Sequence, residues 1–559
     1  MGGVNSRFKR LSVAFLWHMH QPCYKDTITG KYLLPWVRFH AVKDYFPMAA
    51  LLQGFDNVGA TFNLVPSLLE QINDYALNDA TDIFLDLAAK KASSLSLADR
   101  LDILENFFRA NFKRFIEPNE RYLELLIKKG LHNTSDRSLR KVVNGFSDQD
   151  MLDLQVLFNL VWFHSISVDE DINLKDLIRK GSSYTEEDKE YVLLKQKEII
   201  SQVIPLYRKL QDAGQIEISA TPFYHPITPL LCDTSIARIS TPGMNLPKRR
   251  FSHPEDARWH IVEAIKYHQE QFGLAPRGMW PSEGSVSDEA LEIMVSNGIK
   301  WAATDEDILF NSLAMQGAKR KAAEHPDRRL IYEPYKFKRG SKSLSLIFRD
   351  KNLSDIISFN YNSWEQRSAA DDLMAHFRRI AGNPKSAAEK PLVTIAMDGE
   401  NAWEFFADNG RTFFETLYEH LDDDDELEAV TISDHLGLGG LKRNTLNTVF
   451  PASWINHNFK IWIGEEQDNV SWDYLSTVRR DLVKYTKESK EELEGESESL
   501  RKAWREFYMA EGSDWNWWYS GKAHMGSDNP FDKLYRMHLK NVYKYLKKPI
   551  PDFLRISIS

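Results

Sequence analysis

Cysteine is scarce in this chain of 559 residues, which contains only Cys23 and Cys232. Two distant cysteines exclude a disulfide framework and a cysteine-rich metal knot, so we expect a reducing, cytoplasmic location. Long apolar runs are also missing, and no stretch approaches the roughly 20 residues that a membrane-spanning helix needs. The apolar run at 11–17 leads into His18-Met19-His20-Gln21-Pro22. We interpret this run as a buried strand and not as a signal peptide.

Positive charge is in deficit, with 71 Lys and Arg against 80 Asp and Glu, for a net charge of −9. This balance argues against nucleic acid or an anionic membrane as the main partner. Aromatic residues make up 12% of the chain and include 15 Trp. Core filling accounts for most of them, but flat rings beside polar residues also suit pyranose rings. The composition therefore favours a neutral sugar polymer as substrate and leaves the oligomeric state open.

Short apolar runs typical of buried β-strands recur through the first 435 residues, with amphipathic helical stretches between most of them. They lie at 12–17, 59–64, 216–220, 300–303, 344–348, 392–397 and 429–432. This alternation predicts an α/β fold with a parallel sheet covered on both faces. The number of units favours a closed or distorted barrel. A doubly wound open sheet is the alternative, although no G-x-G-x-x-G motif follows the first run.

Two regions depart from this alternation. The chain from about 66 to 213 has an almost wholly helical pattern and is too long for a connecting loop. Beyond about 465, strand patterns cease and helical patterns continue to the end. We therefore predict a catalytic barrel over 8–440 with a helical insertion at 66–213. A mainly helical domain over 441–559 would complete the active site.

Polar side chains follow several of the predicted strands. In a parallel barrel the ends of the strands form one rim, where functional groups gather. Helix capping or salt bridges would explain any one of these residues but explain the whole set poorly. The candidates at the rim are His18, His20, His225, Trp280, Glu283, Asp350, Asp398, Glu400, Trp403 and His435.

The carboxylates in this set suggest a reaction. Asp398 and Glu400 are two apart at a strand end, so their side chains point the same way and one pKa should rise. A carboxyl that keeps its proton can act as a general acid. Glycoside cleavage with retention needs two carboxyls about 5–5.5 Å apart. Glu283 and Asp398 follow different strands, as such a pair must, although a capping role for each remains open.

The histidines admit a metal interpretation, since a His-x-His pair at a strand end can bind zinc. Hydrogen bonding to sugar hydroxyls and simple core packing are the competing roles of His18, His20, His225 and His435. Residues 512–519 of the helical tail place four aromatic side chains around Asp514. This segment is either a loop wedged into the core or a sugar-binding wall over the rim.

Together these motifs resemble those of glycoside hydrolase family 57, which is marked by five short blocks. His18-Met19-His20-Gln21-Pro22 is similar to the first block and Gly214-Gln215-Ile216-Glu217-Ile218 to the second. Trp280-Pro281-Ser282-Glu283 resembles the third and Asp398-Gly399-Glu400-Asn401 the fourth. Asp514 and Trp517 resemble the fifth. The blocks occur in order and span nearly the whole chain.

The resemblance implies a distorted (β/α)7 barrel with a helical domain, acting on α-glucans by double displacement. Glu283 would be the nucleophile and Asp398 the general acid/base, with no metal or other cofactor required. The features around His225 and Asp350 look most like the α-amylase and amylopullulanase branch of the family. The substrate contacts that the resemblance implies are His18, His20, Glu217, Trp280, Glu400, Asp514 and Trp517.

Three hypotheses about function remain open at this point. The first is a retaining α-glucan hydrolase, with a 4-α-glucanotransferase or branching enzyme as its variant on the same site. The second is a metal-dependent carbohydrate deacetylase or α-mannosidase on a similar barrel, which a chelator would inhibit. The third is a silent glycan-binding protein, which would bind oligosaccharide without turnover.

Overall fold

The structure is a computed structural model that describes residues 11–131, 133, 135–317, 327–382, 390–400, 402–439, 443–490, 498–519 and 529–558. Its strands, in chain order, are β1 (Leu11–Met19), β2 (Lys25–Asp26), β3 (Lys31–Tyr32), β4 (Ala60–Leu64), β5 (Ile216–Ser219), β6 (Gly278–Met279), β7 (Trp301–Asp305), β8 (Tyr335–Arg339), β9 (Lys342–Arg349), β10 (Leu392–Asp398), β11 (Leu427–Ala429) and β12 (Asn444–Leu446).

Parallel strands close into a barrel in the order β1, β4, β5, β6, β7, β9 and β10. One sheet runs β10-β1-β4-β5 and another contains β9-β7-β6. A parallel bridge between Ala220 and Met279 joins β5 to β6. The ring closes where the Asp350 N–H donates to the Thr394 carbonyl at 2.8 Å, between β9 and β10. The predicted (β/α)7 barrel is thus confirmed, and β6 contributes only two residues to it.

The composition of β1 explains why it occupies the centre of this fold. All nine of its residues are buried. Leu11, Val13 and Phe15 pack against the surrounding helices, as part of the main hydrophobic core. Ala14 and Leu16 point the other way, into a second apolar cluster that fills the barrel interior with Trp and small side chains. Alternation along one strand therefore serves two cores, which is why apolar residues occupy both faces of β1 from Val13 to Trp17.

Helices account for the long segment between β4 and β5. Several begin at Ser or Thr caps, and Ser96, Ser147 and Thr185 each form a reciprocal capping box. The α-helices of this segment are Pro66–Leu77, Ile83–Ala89, Leu97–Asn106, Glu120–Lys129, Asp136–Val142, Asp148–Leu160, Ser165–Glu170, Ile172–Lys180 and Glu186–Asp212. The last of them packs along β5 and the helix that follows β4.

The remaining helices cover the barrel and build the end of the chain. Those after β1 and around the barrel are Trp36–His40, Phe46–Leu52, Thr228–Cys232, Ala237–Ser240, Pro254–Phe272, Asp288–Ser296, Glu306–Met315, Lys351–Phe359, Gln366–Ala381, Arg411–Asp422 and Ile432–Gly437. The C-terminal ones are Glu466–Lys490, Glu498–Ala510, Asp514–Trp517 and Pro530–Tyr545. Within the described part of the chain, none of these helices combines the length and apolarity that crossing a membrane requires.

The C-terminal helices dock on the start of the chain. His538 Nε2 lies 3.2 Å from the Cys23 carbonyl, and the Asn541 amide donates to Asp26 at 3.0 Å. The Thr27 hydroxyl donates to Glu506. These contacts join segments about 500 residues apart and bring Asp514 over the barrel.

Two strand assignments from the sequence need correction. The apolar run at 429–432 is not a barrel strand, because β11 ends at Ala429 and pairs only with the start of β1. Thr431 caps the helix that begins at Ile432, with its hydroxyl accepting from the Asp434 N–H. Conversely, the barrel uses Gly278–Met279 as β6, a strand too short to show any periodicity.

Candidate active site

The carboxyl end of β1 carries a chain of oriented hydrogen bonds. Asn63 of β4 donates its amide N–H groups to the Ala220 carbonyl at 2.8 Å and to Ser219 at 3.1 Å, which fixes the amide orientation. Its Oδ1 therefore faces His18 Nδ1 at 2.6 Å and must accept that proton. His18 Nε2 is then left as an acceptor, 3.2 Å from His225 Nε2.

His225 lies on the loop after β5 in the left-handed backbone region, with a φ of 57°. Its Nδ1 lies 2.8 Å from the Ser513 hydroxyl, which belongs to the C-terminal helical part of the chain. The ring stacks on His20 with 3.9 Å between centroids. Burial lowers the pKa of His18 to about 3 and that of His225 well below its ordinary value, with neighbouring histidines adding to the effect. Both rings are thus neutral near pH 7 and act as hydrogen-bonding groups.

His20 connects the two parts of the molecule. Its Nε2 lies 2.8 Å from Asp514 Oδ1. Its backbone N–H donates to Glu400 Oε1 at 2.8 Å, and the Tyr45 hydroxyl donates to the same oxygen at 2.7 Å. Burial and the charge of Asp398 raise the pKa of Glu400 well above its ordinary value. Glu400 therefore anchors the loop after β1 as well as bordering Asp398.

Glu283 stands in a tight turn after β6, where Glu283 and Gly284 both adopt left-handed backbone, with φ of 55° and 56°. A side chain at position 284 would approach Trp454 Cβ to 3.1 Å and Trp280 to 3.3 Å, so glycine is required there. The Trp454 indole N–H donates to Glu283 Oε2 at 2.8 Å, and its backbone N–H donates to the Glu283 carbonyl at 3.0 Å. A non-glycine residue in this region costs of order 1–3 kcal/mol and is typical of a functional turn.

Electrostatics link Glu283 to Asp398. Burial raises the pKa of Glu283 to about 8, and the charge of Asp398 is the second cause. Asp514 adds to the rise, while the hydrogen bond from Trp454 opposes it. Asp398 ends β10 and stands in register with His18 of β1. The two carboxyls thus lie close enough for the charge of Asp398 to act on Glu283, although they follow different strands.

Two tryptophans of the predicted set border this space in different ways. Trp280 is fully buried and packs edge-on against Trp454, with 5.1 Å between ring centroids. Its centroid is 6.3 Å from that of His18, so it forms part of the floor. Trp517 is 37% exposed and lies 6.5 Å from Trp462, which makes it part of an open wall. Of Trp280 and Trp517, only Trp517 exposes its ring to solvent.

The structure places Glu217 and His435 away from this rim. Glu217 accepts hydrogen bonds from the Trp301 indole at 2.9 Å and from the Ser433 backbone N–H at 2.8 Å. In the register of the sheet, Glu217 lies two positions before the residue that is level with His18. His435 is buried, and the charged groups around it include Glu428 of β11, near the amino ends of the strands.

Asp350 and Trp403 are also engaged elsewhere. Asp350 accepts from the Tyr332 hydroxyl at 2.8 Å, from Arg328 at 2.7 Å and from the Leu353 N–H at 3.1 Å. It caps a helix and binds an arginine. Trp403 is buried among aromatic rings, with Phe414 at 4.4 Å between centroids, and so belongs to the core behind the rim.

Four residues of the site were missed in the sequence, namely Tyr45, Asn63, Trp454 and Ser513. Asn63 had a usable signal, because it is a polar residue inside a fully buried strand. Trp454 lies in an irregular segment, and Tyr45 lies in a short helical turn. Their roles depend on long-range packing, which local patterns do not contain.

One group in the site also has the composition of a metal site. Within the part of the chain that the structure describes, the donor atoms of His20, His225 and Asp514 lie within 4.8 Å of one another. His20 Nδ1 and Asp514 Oδ2 are buried without a hydrogen-bond partner among the described residues. The same donors could instead bind sugar hydroxyls.

A parallel barrel with paired carboxyls at its strand ends defines the class of carbohydrate-active (β/α)-barrel enzymes. The chain belongs to glycosyl hydrolase family 57, whose family model matches residues 14–449. A comparison with curated proteins gave no match.

Solved structures with the same fold span almost the whole chain. A family 57 branching enzyme from Thermococcus kodakaraensis has a TM-score of 0.60 at 14% identity, with 98% of this chain and 93% of that chain covered. The α-amylase AmyC from Thermotoga maritima has a TM-score of 0.56 at 14% identity, with 98% and 96% covered. The 4-α-glucanotransferase from Thermococcus litoralis has 0.51 at 12% identity, with 96% and 60% covered.

Proposed function

We propose that this protein cleaves α-glucans with retention of configuration, using Glu283 as nucleophile and Asp398 as general acid/base. The single observation that carries the proposal is the proximity of these two carboxyls, since Asp398 ends β10, Glu283 lies in the turn after β6, and the charge of Asp398 raises the pKa of Glu283. The structures of similar fold are of a branching enzyme, an amylase and a glucanotransferase, which supports α-glucan as the substrate class.

The first half of the reaction forms a covalent intermediate. The Glu283 carboxylate attacks the anomeric carbon while Asp398 protonates the departing glycosidic oxygen. Trp454 holds Glu283 by two hydrogen bonds, at 2.8 and 3.0 Å, so the attacking oxygen is oriented before substrate arrives. The C–O bond of the substrate breaks as the Glu283–carbon bond forms.

The second half releases the product. Asp398, now ionised, takes a proton from water or from a sugar hydroxyl, whose oxygen displaces Glu283 from the anomeric carbon. His18, His20 and Asp514 would hold hydroxyls of the sugar in the cleavage subsite. Trp280 would form the floor of this subsite and shield it from water. Water as acceptor gives an amylase or amylopullulanase, and a sugar hydroxyl gives a 4-α-glucanotransferase or branching enzyme.

Product analysis on maltoheptaose, soluble starch and pullulan tests this proposal. Wild type should be compared with Glu283→Gln and Asp398→Asn, and with Glu289→Gln as a control, because Glu289 is an exposed residue of a neighbouring helix. We expect shorter oligomers from wild type and the control only, with chelator present. Longer oligomers beside the shorter ones would identify a transferase. Intact glucans with wild type, or full activity in both site variants, would refute the assignment.

A further inference from the structure

The cluster formed by His20, His225 and Asp514 comes from three distant parts of the sequence, which the fold brings together above the barrel. His20 follows β1, His225 follows β5, and Asp514 begins a short C-terminal helix. All three donor atoms lie within 4.8 Å of one another. Three protein ligands with one open position are the pattern of an accessible zinc site.

Two donor separations at this cluster can be compared with the edges of a tetrahedral site. Metal–ligand bonds of about 2.0–2.2 Å give donor–donor separations of about 3.3–3.5 Å in a tetrahedron. His20 Nε2 and Asp514 Oδ1 are 2.8 Å apart, so an entering ion would separate them by roughly half an ångström. His18 Nε2 stands 3.2 Å from His225 Nε2, close to one tetrahedral edge, and could supply a fourth ligand.

The groups around the cluster are those that orient metal ligands elsewhere. Histidines that bind metals usually use one ring nitrogen while the other is held by a hydroxyl, carboxylate or carbonyl. His225 Nδ1 is held by the Ser513 hydroxyl at 2.8 Å, which leaves Nε2 facing the cluster. The second oxygen of Asp514 is buried without a partner among the described residues and is available to the ion.

We propose that His20, His225 and Asp514 bind a divalent transition ion such as Zn²⁺ and that this ion blocks the active site reversibly. Imidazole and carboxylate ligands suit Zn²⁺, whereas Ca²⁺ requires six to eight oxygen ligands. The ion would stand where the sugar must lie, because the backbone N–H of His20 donates at 2.8 Å to Glu400, two residues after Asp398. The binding site follows from the ligand geometry alone, and its inhibitory consequence rests on the proposed function.

Calorimetry on the full chain, stripped with chelator and then titrated with Zn²⁺, tests the site without relying on turnover. We expect one ion per chain and no heat of binding with Ca²⁺. His225→Gln and Asp514→Asn should each weaken binding by at least about 100-fold. Ser513→Ala should weaken it by about 10–100-fold, as is typical of an outer-shell partner. His253→Gln, a partly exposed histidine outside the cluster, is the matched control.

Two further measurements complete the test. Co²⁺ should give the strong visible absorption of a four-coordinate ion in wild type and lose it in His225→Gln, while near-ultraviolet circular dichroism verifies that the variant is folded. Zn²⁺ should also inhibit turnover of maltoheptaose, and chelator should restore it. Absence of Zn²⁺ binding to wild type, or unchanged affinity in both His225→Gln and Asp514→Asn, would overturn the site. Tight calorimetric binding without inhibition would overturn its position in the cleft.

Discussion

The ionisation of Glu283 should set the acidic limb of the pH–rate profile. Its pKa is raised to about 8, so the attacking carboxylate is scarce below that pH. The value of kcat/KM reports the ionisations of the free enzyme. We therefore expect kcat/KM for an activated substrate such as α-maltosyl fluoride to rise with pH up to about 8. Fluoride leaves without protonation, so this substrate isolates the nucleophile from the general acid.

Two substitutions should move this limb in opposite directions. Asp398→Asn removes a negative neighbour, and a unit charge about 5 Å away is worth roughly 3 kcal/mol at an effective dielectric constant near 20. The pKa of Glu283 should therefore fall by about 2 units. Trp454→Phe removes a hydrogen bond to a charged group, worth about 1.5–3 kcal/mol, so the pKa should rise by about 1–2 units.

The assay is release of fluoride across pH 4–10, roughly the range that covers both shifted limbs. Wild type, Asp398→Asn and Trp454→Phe are compared, and Glu283→Gln serves as the inactive reference. Thermal unfolding at each pH separates loss of fold from loss of rate. A limb that stays in place in both variants, or that moves the same way in both, would refute the assignment of the limb to Glu283.

Three other substitutions test separate parts of the structure. Glu283→Gln should stabilise the protein at pH 9 but not at pH 4. The raised pKa means that wild type loses stability as pH increases from about 4.5 through about 8, by at most roughly 5 kcal/mol. Calorimetric melting at the two pH values measures this loss. Trp403→Ala should lower the free energy of unfolding by about 3–5 kcal/mol in denaturant titrations, because it leaves a cavity where a buried indole was packed. The folded variant should retain the kcat/KM of wild type. Glu217→Gln should lower the melting temperature, because it weakens the hydrogen bonds from Trp301 and Ser433. It should leave kcat/KM within about threefold of wild type. A larger kinetic loss would contradict the placement of Glu217 inside the barrel.

The barrel was predictable because its strands are covered on both faces. A strand such as β1, buried at every residue, is mostly apolar, and its apolar run is visible in the sequence. Two-residue β6 leaves no such trace, since its pairing is imposed by β7 and by the bridge to Ala220. The run at 429–432 resembled a strand because it is apolar, but Thr431 provides a helix cap that ends the extended backbone.

The candidate site was predictable where the residue type itself carries chemistry. Glu283, Asp398 and the histidines attract notice because carboxylates and imidazoles gather at strand ends. Glu217 and His435 have the same residue types, but register along the strand places them away from the pair. Trp454 was not predictable, because its partner Glu283 lies 171 residues earlier and no local pattern joins them.

The contact between His20 and Asp514 also has a consequence for the order in which the candidate site forms during synthesis of the chain. The two residues are separated by 494 positions, so this wall of the candidate site can form only after the segment that contains Asp514 has been synthesised. His538 and Asn541 dock in the same way on Cys23 and Asp26, so these contacts also form only after the later segment has been synthesised. A nascent or prematurely terminated chain can hold Glu283 and Asp398 and still lack the wall that positions a sugar. Catalytic competence would therefore arrive in one step, when the segment around Asp514 packs against His20.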